Sequence, residues 1–155
     1  MEREITFTTD EGYQYLVSFS SYKEFSIQFN VNIIDVSIIL MNKEIEKNTF
    51  KTLSKFIEII SEYLIDNPDV VLYYYCDTTP INIRKNRREN LTYQEYRSKL
   101  FAKLFEKANH SNFVARNYII EDTENGNHYI TLITNIKQTE IFDKIKFELE
   151  SIFNK

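Results

Sequence analysis

Eight cations fall within residues 81–110: Arg84, Lys85, Arg87, Arg88, Arg97, Lys99, Lys103 and Lys107. Three acids, Glu89, Glu95 and Glu106, oppose them, so this block carries +5 in a chain whose net charge is −4. Arginine presents a planar fork of donors that fits phosphate and carboxylate, and a helix N-terminus adds backbone N–H groups. Two readings of the block stand side by side. In one, residues 81–90 are a solvated loop and the later lysines the wet face of a helix. In the other, Arg84, Lys85, Arg87, Arg88, Arg97 and Lys99 form an anion site for a phosphate, a nucleic-acid backbone or an acidic protein surface. Asp77 and Thr78 sit where an apolar run ends, a place where sheets commonly present ligands, and would complete a polar pocket. The plainer role for Asp77-Thr78-Thr79-Pro80 is turn chemistry, with Asp bonding to backbone two residues on.

Other chemistry is thinly represented. One cysteine and two histidines exclude an internal disulfide framework and leave little room for a zinc site or a His-based triad. His110 lies in a loop with Asn109 and Ser111 and His128 begins a strand; neither stands at ligand or triad spacing, and both read as surface histidines. Cys76, inside an apolar run, reads as a buried and inert thiol. No P-loop, G-x-G-x-x-G, H-E-x-x-H or G-x-S-x-G motif occurs, and two glycines in all exclude most phosphate-cradling loops. The expectation is therefore no catalytic constellation, no metal and no cofactor. A pI near 5.3 argues against a general duplex-DNA binder but leaves room for a small local contact.

A chain of 155 residues predicts one globular domain. At this size it buries enough surface to need no staple. An aromatic share of 15% argues against disorder. Met1-Glu2-Arg3-Glu4 lacks the basic and apolar regions of a signal peptide, and no apolar run reaches a membrane span. The expected setting is the cytoplasm, with no membrane partner.

The elements that must position the basic block follow from periodicity. Residues 4–20 read as a hairpin turning at Asp10-Glu11-Gly12, with Tyr13, Tyr15, Val17 and Phe19 on one face. Phe25, Ile27, Phe29, Val31 and Ile33 alternate with polar residues, and the phase slips at Ile33-Ile34. This predicts strands near 24–30 and 35–41, or a single bulged strand. Residues 48–66 predict a helix capped by Asn48, with Phe50, Leu53, Phe56, Ile57, Ile60, Tyr63 and Leu64 as its apolar stripe. Lys55 is placed to reach Glu58 or Glu62. Val70 to Cys76 is apolar on both parities, which marks a central strand covered on both faces, so at least one ring of Tyr73-Tyr74-Tyr75 belongs to the core. Thr92-Tyr93-Gln94-Glu95 is a capping box opening a helix to about Lys107, with Phe105 on its apolar face. Phe113 to Ile120 and His128 to Asn135 predict two strands around Asn125-Gly126, a two-residue hairpin signal. Thr139 predicts the cap of a last helix carrying Ile141, Phe142, Ile145, Leu149, Ile152 and Phe153. The order β-β-β-β-α-β-α-β-β-α predicts an α+β fold, a mostly antiparallel sheet with helices on one face.

Phe56-Ile57-Glu58-Ile59-Ile60, then Asn67-Pro68 and Val70 to Tyr75-Cys76-Asp77-Thr78, resemble an uncharacterised bacterial domain family. Its pattern is a helix, Asn-Pro, an apolar strand ending Tyr-x-Cys-Asp, and an Arg-containing aromatic helix. Gln94, Arg97, Lys99, Leu100-Phe101 and Leu104-Phe105 match the second helix. Residues 80–91 look like an insertion relative to that family, so Arg84, Lys85, Arg87 and Arg88 fall outside its pattern while Asp77 and Arg97 fall within it. The resemblance covers about half the chain and implies a fold without an assigned activity.

Together these features predict a small, non-catalytic interaction module of a bacterium or phage. It would recognise an acidic or phosphate-bearing partner through residues 81–107, as an accessory to a defence or toxin–antitoxin-type system. A protein partner or a second copy of the chain is expected. The alternative is a nucleotide- or nucleic-acid-binding protein or enzyme using a strand-end pocket around Asp77 and Arg97.

Overall fold

The computed structural model describes residues 2–10, 12–41, 50–76, 102, 105–106, 112–124 and 126–153. Six strands form one sheet: β1 (Arg3–Thr8), β2 (Gln14–Ser21), β3 (Ile33–Leu40), β4 (Val71–Cys76), β5 (Phe113–Ile120) and β6 (His128–Asn135). Among the described residues, helices α1 (Lys23–Phe29), α2 (Phe50–Asp66) and α3 (Ile141–Phe153) accompany it, with a 3-10 turn at Ile136–Gln138. The spatial order is β1-β2-β3-β4-β6-β5. Every adjacent pair is antiparallel except β3–β4, which is parallel. The class is α+β with a mostly antiparallel sheet, as the pattern of elements predicts.

The doubly apolar run becomes the central strand. β4 lies between β3 and β6, and its side chains alternate between two cores. Leu72 and Tyr74 face α2, where Phe56, Ile57, Ile60, Tyr63 and Leu64 pack on Tyr15, Val17, Phe19, Ile34 and Val36. Phe19 and Tyr63 stack at 3.9 Å between ring centroids. Val71 and Tyr73 face the other way, toward Phe25 of α1 and toward Phe142, Ile145 and Leu149 of α3. Helices therefore cover both faces of the sheet, not one. A central strand apolar on both parities requires this, because a bare face would leave Val71 and Tyr73 in water. Fully burying the Val71 side chain contributes about 1.5–3 kcal/mol relative to exposure.

Residues 24–30 are not a strand. The α1 helix spans Lys23–Phe29, so the third predicted strand gives way to a helix and β3 begins only at Ile33. Phe25 and Phe29 are one helical turn apart and their rings meet edge-on at 5.8 Å, while Tyr22 stacks on Phe25 at 4.4 Å. Ile27, inward in the strand reading, is 83% exposed. The Ser26 hydroxyl donates to the Tyr22 carbonyl and accepts from the Ile33 N–H, tying the helix to the strand that follows. Asn30 closes the helix in the left-handed region, φ 53°, with its N–H on the Ser26 carbonyl. The phase slip at Ile33-Ile34 is the start of a strand buried on both sides: both residues are fully buried, one in each core.

The second hairpin has its strands at 113–120 and 128–135 as predicted, but the connection is residues 121–127, not two residues. α3 starts at Ile141, and Thr139 meets it through its carbonyl, which accepts from the Phe142 N–H. Ile152 is exposed rather than part of the inner stripe. Lys55 pairs with Glu58 at 3.5 Å. Residues 102, 105 and 106 are helical, and Phe105 is buried on the α2 face. The caps at Asn48 and Thr92 lie outside the described residues, as does the side chain of Cys76.

Candidate functional site

The carboxyl end of β4 meets the amino end of β6. Tyr75 stands opposite Ile130 in this antiparallel pair, so His128, two residues earlier on β6, is its diagonal neighbour on the α3 face. The Tyr75 hydroxyl and His128 Nδ1 are 2.7 Å apart. On the other side of the ring, His128 Nε2 lies 2.8 Å from Asp122 Oδ2. The His128 and Asp122 side chains are 13% and 8% exposed, so this chain of groups is largely withdrawn from water.

Local sequence holds Asp122 in place. Its Oδ1 accepts from the Glu124 N–H at 3.0 Å, an Asx turn, and its carbonyl accepts from the Gly126 N–H at 3.0 Å. Gly126 has φ +84°, a conformation that glycine adopts without a Cβ penalty. The loop thus wraps the carboxylate against the imidazole that opens the next strand. An ionised carboxylate can only accept, so Nε2 carries a hydrogen toward Asp122. In the neutral ring Nδ1 is then the acceptor, and Tyr75 donates to it. The order Asp–His–Tyr has the logic of a triad: a carboxylate fixes the tautomer, the imidazole takes a proton, and the hydroxyl loses it.

The same face carries further titratable groups. Tyr73 and Asp35 are in register across β3–β4, and Tyr22 meets Tyr73 edge-on at 5.5 Å. Burial pushes the Tyr73 phenol well above the ordinary tyrosine range, and Tyr22, Asp35 and Tyr75 add to the effect. Burial also raises the Asp35 carboxyl. Tyr22 is raised by burial first and then by Glu24 and Asp35. Burial thus disfavours charge at Tyr22, Asp35 and Tyr73, which cluster where β3 and β4 pair.

Asp77, Thr78, Arg84, Lys85, Arg87, Arg88, Arg97 and Lys99 lie outside the described residues. His128 does not: it is a partly buried, doubly bonded ring rather than a surface histidine. Its partners are 6 and 53 residues away in sequence. The available signal was an Asp and a His placed on either side of Asn125-Gly126, which the hairpin closes into contact. The fully buried polar residues Thr131 and Thr134 are bonded to Asn117 Oδ1 and the Val70 carbonyl and serve the sheet. Among the described residues no helix is long and apolar enough to cross a membrane. Compared with models of protein families, with curated proteins and with solved structures, the chain matches none.

Proposed function

We propose that the protein is a small interaction module that recognises an acidic or phosphate-bearing partner through the basic 81–107 segment. The observation that carries this reading is charge placement: residues 81–110 carry +5 in a chain of net −4. A local positive block on an acidic molecule directs one face toward an anionic partner while the remainder repels it, which gives orientation as well as attraction. The block follows the central strand after four residues, 77–80, so the chain that precedes it is anchored in both cores. Membership of the uncharacterised bacterial family that residues 56–105 resemble, and an accessory role in a bacterial or phage defence or toxin–antitoxin-type system, belong to the same proposal.

A second reading draws on the hydrogen-bonded series Tyr75, His128 and Asp122. In it the strand end holds a nucleotide or nucleic acid, with Asp77, Thr78, Arg84 and Arg97 as ligands.

Thermal melts with mononucleotides, short oligonucleotides and inorganic phosphate, beside affinity capture of partners, test both. A melting temperature raised by a phosphate ligand, with the rise lost on charge reversal of Arg84, Arg87 and Arg88, supports phosphate recognition. A stoichiometric acidic protein partner, released by the same reversal, supports the interaction module. Binding of any partner unaffected by the reversal overturns the basic segment as the recognition element.

A further inference from the structure

We propose that Tyr75, His128 and Asp122 form a proton relay that makes the Tyr75 phenol oxygen a nucleophile toward phosphoryl esters. This goes beyond binding: the relay rests on the hydrogen-bond chain, and the choice of a phosphoryl substrate rests on the phosphate-bearing partner proposed above for the basic segment.

The geometry supplies each part. Tyr75 is the penultimate residue of a central strand anchored in both cores, so its position is set by a well-packed element of the fold. Its hydroxyl lies 2.7 Å from Nδ1, within the range at which a proton passes between heavy atoms. The opposite nitrogen is committed to a carboxylate at 2.8 Å, and that carboxylate is fixed by the Glu124 N–H. As a class, phenols are far easier proton donors to imidazole than the aliphatic hydroxyl of a serine triad. Tyr75 is partly exposed, whereas Tyr73 on the same face is buried, so of these two phenols Tyr75 is the one in reach of a substrate.

In the step, the Tyr75 oxygen attacks phosphorus and an O–P bond forms. The phenol proton passes to His128 Nδ1, and the imidazolium is held by Asp122. The bond from phosphorus to the alcohol oxygen breaks, and the departing alkoxide takes that proton. Water then attacks phosphorus while His128 Nδ1 takes its proton; the bond from phosphorus to the Tyr75 oxygen breaks, and the imidazolium returns the proton to the departing phenolate. Asp122 is a positioning residue: it acts through the ring it orients.

An aryl sulfonyl fluoride tests this without knowledge of the substrate, because it reads the nucleophilicity of a phenol directly. The oxygen attacks sulfur, fluoride leaves, and the proton goes to Nδ1. Peptide mass spectrometry of the full-length protein is expected to find Tyr75 labelled at least about tenfold faster than any of the other ten tyrosines. Tyr75→Phe removes that label. Asp122→Asn is the discriminating variant. Its oxygen keeps the Glu124 N–H, so its amide nitrogen takes the place of Oδ2 and donates to Nε2. The ring hydrogen then moves to Nδ1, which no longer accepts from Tyr75. Nitrogen-15 spectra of the imidazole are expected to show this exchange of tautomer, with labelling slowed about 10–100-fold. Release of nitrophenolate from bis(4-nitrophenyl) phosphate is expected to fall in parallel. Tyr75 labelling no faster than that of the other tyrosines overturns the proposal. So does labelling that survives the tautomer exchange, leaving the chain of bonds as a strut between loop and sheet. Neither result bears on the basic segment.

Discussion

Asp35 of β3 and Tyr73 of β4 stand opposite each other in the parallel strand pair, on the face that α1 and α3 cover. Both are shifted toward their neutral forms chiefly by burial. An unfolded aspartate titrates near ~3.9, and the folded one above that, so the folded chain binds the proton more tightly. The contribution of Asp35 is fully present below about pH 4 and is lost as pH rises through the folded value. Asp35→Asn is expected to be more stable than the parent at pH 7 and close to it at pH 3, measured as urea midpoints. An advantage of equal size at both pH values contradicts the burial argument.

Tyr73 has the same sign at the other end of the scale. Its folded phenol ionises above the ordinary ~10, so its contribution is intact below that and lost as pH climbs further. Ultraviolet titration is expected to show a late phenolate step, lying above those of exposed tyrosines, that Tyr73→Phe abolishes. The same variant flattens the alkaline fall of stability, and a late step that survives it assigns the shift to another tyrosine.

Leu72 tests the two-sided core. It is fully buried at the centre of the sheet, so Leu72→Ala is expected to cost about 2–5 kcal/mol in denaturant unfolding. Ile27→Ala, on the exposed side of α1, is expected to stay within about 0.5 kcal/mol of the parent. Comparable losses at the two positions would return residues 24–30 to a buried strand.

Asn30 tests the end of α1. Its φ of 53° suits glycine and asparagine but penalises a residue with an ordinary Cβ by about 1–2 kcal/mol. Thermal melts are expected to rank Asn30→Gly level with or above the parent, and Asn30→Ala below it by about 1 kcal/mol. The opposite ranking is incompatible with a left-handed cap.

Much of the architecture is written in local pattern. Val70 to Cys76 reads as a central strand because no parity is polar, and the α2 stripe reads as a helix because Phe56, Ile60, Tyr63 and Leu64 recur every three to four residues. The strands of the first hairpin follow from alternation around Asp10-Glu11-Gly12, and those of the second from apolar segments on either side of Asn125-Gly126. Residues 23–29 mislead because Phe25, Ile27 and Phe29 alternate as a strand would. The helix prevails because the face carrying Ile33, Val71 and Tyr73 needs a cover, and a short helix brings Phe25 down onto it while sending Ile27 to solvent.

Composition and periodicity determined the α+β class, the inner strand and the charged segment, because each is a property of neighbours along the chain. The juxtaposition of Tyr75, His128 and Asp122 was decided in three dimensions. It depends on which strands pair, on the offset between β4 and β6, and on a loop that folds a carboxylate back onto the ring that follows it. Hydrogen bonds between side chains from different elements leave no period in a sequence, so a histidine that looks solitary on paper acquires two partners only when the sheet closes.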